Sequence, residues 1–265
     1  MTLLASLDLE RYPLDRLDEA PGRALVRHCR EQLKGTGMFS LHGFVLATAV
    51  QDCAHELAKQ MRTASFTHQR LHNIYFTPEI EGIDADHPAL TVHATTNHVL
   101  TADQVAKTLV CELYEWPALR KFLALVMGKP TLHLMTDPLA RVNVMSYRDG
   151  EGLGWHFDRS EFTTTLLLQE ATDGGKFEYR SALRSATDPN FDGVARLLNN
   201  DDPAVETLPL QPGTLNVFRG INTAHRVTPT RGNQARLVCV FSYYDRPNVM
   251  FSEHEQLGFY GRTMR

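Results

Sequence analysis

His156 is followed two positions later by Asp158, within Trp155-His-Phe-Asp158, and no other of the twelve histidines has an acid at that spacing. On an extended strand, residues two apart share a face, roughly 6–7 Å apart along the backbone, so both side chains can converge on one ion. With this many histidines one such pair is expected by chance, so the pair needs company. A third ligand must come from a neighbouring strand and so from a distant stretch of sequence. His225 fits, in Thr223-Ala-His-Arg-Val-Thr-Pro229. Two neutral imidazoles and one carboxylate form a three-point set that suits iron(II) and leaves three coordination positions open.

A fourth residue narrows the chemistry. Arg236 stands at the head of an apolar run, Leu237-Val-Cys-Val-Phe-Ser-Tyr243. A buried guanidinium there can clamp a dicarboxylate through two parallel hydrogen bonds, because its planar fork matches carboxylate geometry. The co-substrate 2-oxoglutarate offers such a far carboxylate, and its keto-acid end chelates iron. Arg231 competes for the role, but Thr230-Arg-Gly-Asn233 reads as a solvated turn. His68 and His72, four apart, have no third ligand at a usual spacing and are not expected to hold zinc.

Taken in order, Tyr147, His156-x-Asp158, Gly174-Gly175, Pro212-Gly213, His225 and Arg236 make the run from Val142 to Asp245 resemble the iron(II)/2-oxoglutarate dioxygenase superfamily. That resemblance implies a double-stranded β-helix, or jelly roll. It also implies iron(II), 2-oxoglutarate and dioxygen as the reaction partners, with His156, Asp158 and His225 as metal ligands. Arg236 and Tyr147 would then bind the co-substrate. More narrowly, Gly174-Gly-Lys-Phe-Glu-Tyr179, His225-Arg-Val-Thr-Pro229 and Leu257-Gly-Phe-Tyr-Gly-Arg262 resemble a bacterial branch that halogenates or hydroxylates free amino acids. Halogenases of that branch carry a small residue in place of the carboxylate ligand, which leaves room for chloride. Asp158 is kept here, so the resemblance implies hydroxylation or a related oxidation, with release of succinate and carbon dioxide.

Substrate contacts are read less directly. The resemblance to that branch extends to His72-Asn-Ile-Tyr-Phe76 and implies that Asn73 and Tyr75 line the pocket, and Tyr260 and Arg262 either close over it or belong to a surface tail. Strict alternation points Arg159 away from the metal. A turn at Ser160 would instead swing it over the pocket mouth, where it would favour a substrate carrying a carboxylate, such as an amino acid. The alternative to an oxygenase is a non-oxidative metal-binding β-barrel, a cupin-like isomerase or sensor. Such a barrel has no use for a buried Arg236.

The elements that must position these residues change texture along the chain. Leu25 to Leu33 and Val50 to Met61 have helical apolar spacing, and Thr101-Ala-Asp-Gln104 is a capping-box pattern opening a helix through Leu113. Another helix is expected from Pro117 to Gly128, with Pro130 behind it. From Thr131 the reading turns to strands: Arg141 to Tyr147, Phe162 to Gln169 and Ala235 to Tyr244. Ser181 to Leu208 is a polar insertion with a helical stretch at Phe191 to Leu198. The expected architecture is therefore mainly β with flanking helices: a jelly-roll core packed on its outside by N-terminal helices. One domain spans 1–265, with a helix-rich N-terminal segment over 1–130, the core over 131–250 and a C-terminal tail over 251–265.

Composition sets the outer limits. The net charge of −4 and pI near 6.3 give no basic surface for nucleic acid or anionic membrane. Hydrophobic residues at 43% support a sizeable core. The four cysteines form no CxxC pair and read as buried free thiols in a reducing compartment. The N-terminus lacks the basic and apolar regions of a signal peptide, and no run is long enough to span a bilayer. A cytoplasmic protein acting on a small molecule is the expectation.

Overall fold

The computed structural model describes residues 2–77 and 79–265. Its strands pair antiparallel throughout the described residues. Seven form one sheet, in the order Met38–Leu41, Leu215–Phe218, Thr163–Gln169, Arg236–Phe241, Val142–Tyr147, His93–Leu100 and Phe66–His72. Four form a second, in the order Glu206–Leu208, Phe177–Arg180, Ala224–Val227 and Leu153–His156. Neighbours in the sheets are far apart in sequence, so the ladder brings together side chains that local spacing alone cannot.

Alternation divides the large sheet into two faces. Val142, Val144, Leu166, Leu168, Leu215, Val217, Leu237, Cys239 and Phe241 point one way and join the largest apolar cluster. The same cluster holds Val26, Cys29 and Leu33 of the helix Ala20–Gly35 and Val50, Cys53 and Leu57 of Ala47–Ala64. It also holds Val110 and Leu113 of Leu109–Glu115 and Leu119, Phe122 and Leu123 of Pro117–Met127. Burying this surface at about 25 cal/mol per Å² is the main force joining helices to sheet. The opposite face carries Arg236, Tyr147, Asn97 and Arg70. A smaller cluster of Tyr147, Val238 and Val227, with Met145 and Leu153 against it, ties that face to the four-stranded sheet.

Several local expectations meet their elements closely. The helix from Pro117 ends on Gly128 in the left-handed region, at φ 68°, and the insertion helix spans Phe191–Leu198. Others do not. The Thr101–Gln104 contact forms, with the Gln104 side chain accepting from the Thr101 N–H, but no helix follows until Leu109. The Thr108 hydroxyl donates to the Val105 carbonyl and takes an acceptor that a continuing helix would need. The long run to Tyr244 breaks at Ser242, whose carbonyl accepts from the Tyr114 hydroxyl and the Met135 N–H. The chain before residue 131 is not only helical, since Met38–Leu41, Phe66–His72 and His93–Leu100 are strands of the large sheet. The four cysteines are buried free thiols, and among the described residues no helix is long and apolar enough to cross a membrane.

Candidate active site

The strand Leu153–His156 ends one residue after Trp155, and the chain continues extended because the Phe157 and Asp158 N–H groups donate to the Ile74 and Gly220 carbonyls. Asp158 thus reaches the same point as His156 although the ladder has stopped. His225 lies directly opposite His156 in the pairing of Ala224–Val227 with Leu153–His156. The Asp158 carboxylate is 3.4 Å from His156 Nε2 and 3.5 Å from His225 Nε2. Ligand-capable atoms of all three residues lie within 4.8 Å of one another, and this is the one such group of three among the described residues.

Backbone carbonyls set the tautomers. His156 Nδ1 lies 2.9 Å from the Gly154 oxygen and His225 Nδ1 lies 3.0 Å from the Thr223 oxygen. A carbonyl only accepts, so each Nδ1 carries the proton and each Nε2 turns its lone pair to the centre. Burial and the neighbouring His156 ring push the His225 pKa down to about 4, which keeps it a neutral ligand at ordinary pH. Burial works against the Asp158 charge, but His225, His156 and the Thr163 hydroxyl together hold its carboxyl well below the usual range. Space here is tight: a Cβ at Gly220 would lie 2.5 Å from Asp158 Oδ2 and from Thr163 Oγ1. Phe177 and Phe218 wall the His225 ring at 5.5 and 4.8 Å between centroids.

Arg236 and Tyr147 are cross-strand partners on the face turned to this centre. Arg236 is 4% exposed, its Nε donates to the Gly175 carbonyl at 2.8 Å, and its Nη1 is buried without a partner. An orphaned donor on a buried cation is costly and calls for an acceptor that the protein does not provide. Gly175 is reached through Gly174, at φ 66°, where a side chain would strike the Pro229 carbonyl at 2.1 Å. Burial raises the Tyr147 pKa, with the Arg236 cation opposing and the Asp158 carboxylate adding to the rise. That hydroxyl has no contact stronger than Met145 Sδ at 4.0 Å. Arg231 is exposed in a short bridge to Asp173.

The expected substrate residues are distributed differently. Arg159 lines a cavity of about 290 Å³ that none of the three gathered residues lines, and its guanidinium is 2.6 Å from Glu255, which pairs with it. The Asn73 side-chain oxygen accepts from the Tyr75 and Thr77 N–H groups and its amide donates to the Thr77 carbonyl, so this residue builds a turn. Tyr75 stacks on Phe157 at 5.8 Å, its hydroxyl is buried without a partner, and burial pushes its pKa up to about 12. Tyr260 is buried and donates to Asn143, while Arg262 is held by Asp103 and Thr101. The polar ends of both are occupied by the fold.

Three residues that sequence reading passed over, and His72, which it weighed only as a zinc ligand, lie against His156 or share the sheet face turned to the centre. Phe76 edges onto His156 at 5.7 Å and stacks on His72 at 4.3 Å, with its backbone at φ 56°, a strained conformation for a bulky side chain. Arg70 lies over the Phe76 ring at 4.9 Å. Asn97 is 1% exposed, and its Oδ1 has no partner. His72 is fixed by the Asn73 carbonyl and the Thr95 hydroxyl, and burial lowers its pKa to about 4.

With this geometry, comparison with known proteins becomes informative. The family model described as Halogenase D matches residues 22–256. No curated protein sequence matches the chain. Among solved structures, the epimerase SnoN in complex with Fe3+, α-ketoglutarate and nogalamycin RO is similar at 15% identity, with 84% of each chain covered and a TM-score of 0.57. A prolyl-4-hydroxylase from Pseudomonas putida is similar at 14% identity, covering 82% of this chain and 97% of its own, with a TM-score of 0.52. HygX from Streptomyces hygroscopicus, with nickel and 2-oxoglutarate bound, gives 16% identity, 82% and 86% coverage and a TM-score of 0.54. These likenesses are likenesses of fold.

Proposed function

The chain belongs to the Halogenase D family, and from that premise we propose that it is an iron(II)- and 2-oxoglutarate-dependent oxygenase that hydroxylates a small, amino-acid-like substrate. The observation that carries the reading is Arg236 Nη1, a buried donor without an acceptor on the face that also bears Tyr147 and looks onto the His–Asp–His group. The far carboxylate of 2-oxoglutarate supplies that acceptor. A metal-binding barrel with no keto-acid co-substrate would leave the guanidinium buried and half satisfied for no return. SnoN and HygX, with metal and keto acid bound on a similar fold, support the same reading.

His156, Asp158 and His225 would hold the iron. The donor set fits: two neutral Nε2 atoms and one anionic carboxylate, already gathered around one point. Bound there with 2-oxoglutarate, iron(II) supplies dioxygen-dependent oxidation of an unactivated C–H bond, with succinate and carbon dioxide as by-products. The protein does the rest. The Gly154 and Thr223 carbonyls aim the imidazoles, Thr163 holds one carboxylate oxygen, and Arg236 with Tyr147 fixes the co-substrate. Phe177 and Phe218 exclude water behind His225. Because Asp158 keeps its carboxylate, no ligand position is freed for chloride, and hydroxylation is the expected outcome despite the family's name.

On this reading the two sheets are the halves of a jelly roll with the N-terminal helices outside it, residues 1–265 form one domain, and the enzyme works in the cytoplasm. The test is anaerobic addition of iron(II) and then 2-oxoglutarate. A weak lilac charge-transfer band should develop. A protein that binds the metal but gives no band is the non-oxidative barrel.

A further inference from the structure

Leu153–His156 is an outer strand of the four-stranded sheet, paired on one side only, with Ala224–Val227. A buried N–H on such a strand needs a partner from elsewhere, because leaving it unpaired is costly. Two N–H groups in and just past the strand find theirs outside its own sheet. The Phe157 N–H donates to the Ile74 carbonyl, and the Gly154 N–H donates to the Thr95 hydroxyl at 3.1 Å. Thr95 is 2% exposed and belongs to His93–Leu100 of the large sheet, so its hydroxyl stands where a neighbouring strand's carbonyl would. Gly154 is also the residue whose carbonyl oxygen lies 2.9 Å from His156 Nδ1. It is held through its N–H and, through its oxygen, holds a candidate metal ligand.

The direction of these bonds is set from the far end. His72 Nδ1 lies 2.9 Å from the Asn73 carbonyl oxygen, which only accepts, so Nδ1 carries the proton and Nε2 offers a lone pair. The Thr95 hydroxyl, 2.8 Å from that Nε2, donates to it. A hydroxyl has one proton, so toward Gly154 the Thr95 oxygen accepts, and the Gly154 N–H is the donor it meets. The His72 ring is fixed in turn by its stack on Phe76 at 4.3 Å. Position 154 has to be glycine for the two strands to come this close. A Cβ there would lie 2.9 Å from His93 Cβ and 3.7 Å from His72 Cε1. His225 receives the same kind of carbonyl contact, from Thr223, but its strand is paired on both sides and needs no such prop.

We propose that His72 and Thr95 are positioning residues for the metal. The chain His72–Thr95–Gly154–His156 ties the outer strand of the small sheet to the large one and fixes where His156 Nε2 points. Both residues act through Gly154. The proposal rests on the reading of His156 as a metal ligand and adds the two side chains that aim it. Hydrogen-bonding partners behind a ligating histidine are worth about 10–100-fold in metal affinity.

The test is anaerobic titration with cobalt(II) in the absence of 2-oxoglutarate, where nothing turns over and the visible d–d bands report the ligand field. Circular dichroism identifies which variants are folded. Thr95→Val keeps the shape and deletes the hydroxyl, so the Kd for cobalt(II) should rise about tenfold or more and the bands should shift. Thr95→Ser restores the hydroxyl and should recover most of the affinity. His72→Phe keeps the stack on Phe76 but removes the acceptor, and should fall between Thr95→Val and the parent. Thr108→Val deletes a buried hydroxyl among the helices and should leave the Kd unchanged whatever it does to the melting temperature. Parent affinity and bands in T95V, no recovery in T95S, or parent affinity in H72F overturns the proposal, and H72F decides alone if T95V does not fold. A wild-type protein that takes up no cobalt(II) removes the metal reading and the proposal with it. If T95V loses affinity as expected but iron(II) and 2-oxoglutarate give no charge-transfer band with wild type, the positioning role stands and the oxygenase falls.

Discussion

His156 and His225 face each other directly across an antiparallel pair, with ring centroids 4.0 Å apart and planes inclined by 54°. Two imidazoles this close repel if both are charged, and each has its Nδ1 proton committed to a carbonyl. Their Nε2 atoms and the Asp158 carboxylate are gathered into a group that could hold a metal ion. The core that positions them lies on the other face of the large sheet, so ligand and fold can be separated by mutation.

His156→Ala or His225→Ala should therefore lose iron and all substrate oxidation while the protein stays folded. Iron content by mass spectrometry, turnover, and the circular dichroism melt of each variant check this. Turnover near that of the parent in either variant removes it from the ligand set.

Arg236→Met keeps the apolar length but deletes the fork, leaving both the Gly175 carbonyl and the co-substrate carboxylate without a donor. Breaking one side of a buried charged pair costs roughly 3–5 kcal/mol, or about two to four decades in affinity. The KM for 2-oxoglutarate should rise by that order. An unchanged KM transfers the role elsewhere.

Asp158→Gly should abolish hydroxylation and retain some iron and 2-oxoglutarate, with two histidines left to bind. Chloride gains a vacant position, yet chlorination should be weak or absent. Thr163 and Gly220 are arranged around the lost carboxylate and not around an anion in its place. Product analysis by mass spectrometry with and without chloride decides. Full hydroxylation by this variant would mean that Asp158 is no ligand.

Stability of the metal-free protein should depend on pH in a defined window. His225 and His72 have folded pKa values near 4, both lowered first by burial. Unfolded histidine titrates near 6.5, so between about pH 6.5 and 4 the unfolded chain binds more protons than the native one. Stability is complete above that window and falls as pH drops through it, by about 2–3 kcal/mol for His225 and less for the better-screened His72. Asp158, whose pKa is lowered, keeps its charge throughout. Urea denaturation at pH 7 and pH 4.5 measures the loss, and equal midpoints would show that neither ring is held neutral.

How much of this was legible in the sequence depends on which strand a residue occupies. Val142–Tyr147, Thr163–Gln169 and Arg236–Phe241 carry one strongly apolar face against the helices, so alternation in the first and runs of β-formers in the other two announced them. Phe66–His72 sits at the sheet edge, with Thr67, Gln69 and Leu71 exposed on one face and His68, Arg70 and His72 on the other. No apolar period survives there, because the inner face lines a polar site. Arg70 was hidden for that reason. Tyr260 and Arg262 failed differently. Their residue types suited a lid, and nothing in the sequence showed that Asn143 and Asp103 would take their polar ends.

The C-terminal segment yields the last prediction. Asp137 is fully buried: its Oδ1 accepts from the Leu139 and Ala140 N–H groups, and its Oδ2 from the Phe251 N–H and the Gln256 amide. One oxygen shapes a turn and the other docks the helix Glu253–Tyr260. Asp137→Asn keeps an acceptor for the turn but offers an N–H₂ to two donors. It should loosen the helix, making residues 251–265 cleavable by dilute protease, and cost about 2–4 kcal/mol. Asp137→Ala should lose the turn as well and cost more. His254, Glu255 and Phe259 of that helix line the cavity beside Arg70, whereas the residues proposed for metal and 2-oxoglutarate lie on, or just past the end of, strands of the two sheets. In D137N the KM for the organic substrate should rise while the charge-transfer band and the KM for 2-oxoglutarate hold. A variant that loses the band together with substrate binding would show that the helix supports the metal centre itself, and the separation of the two sites would fall.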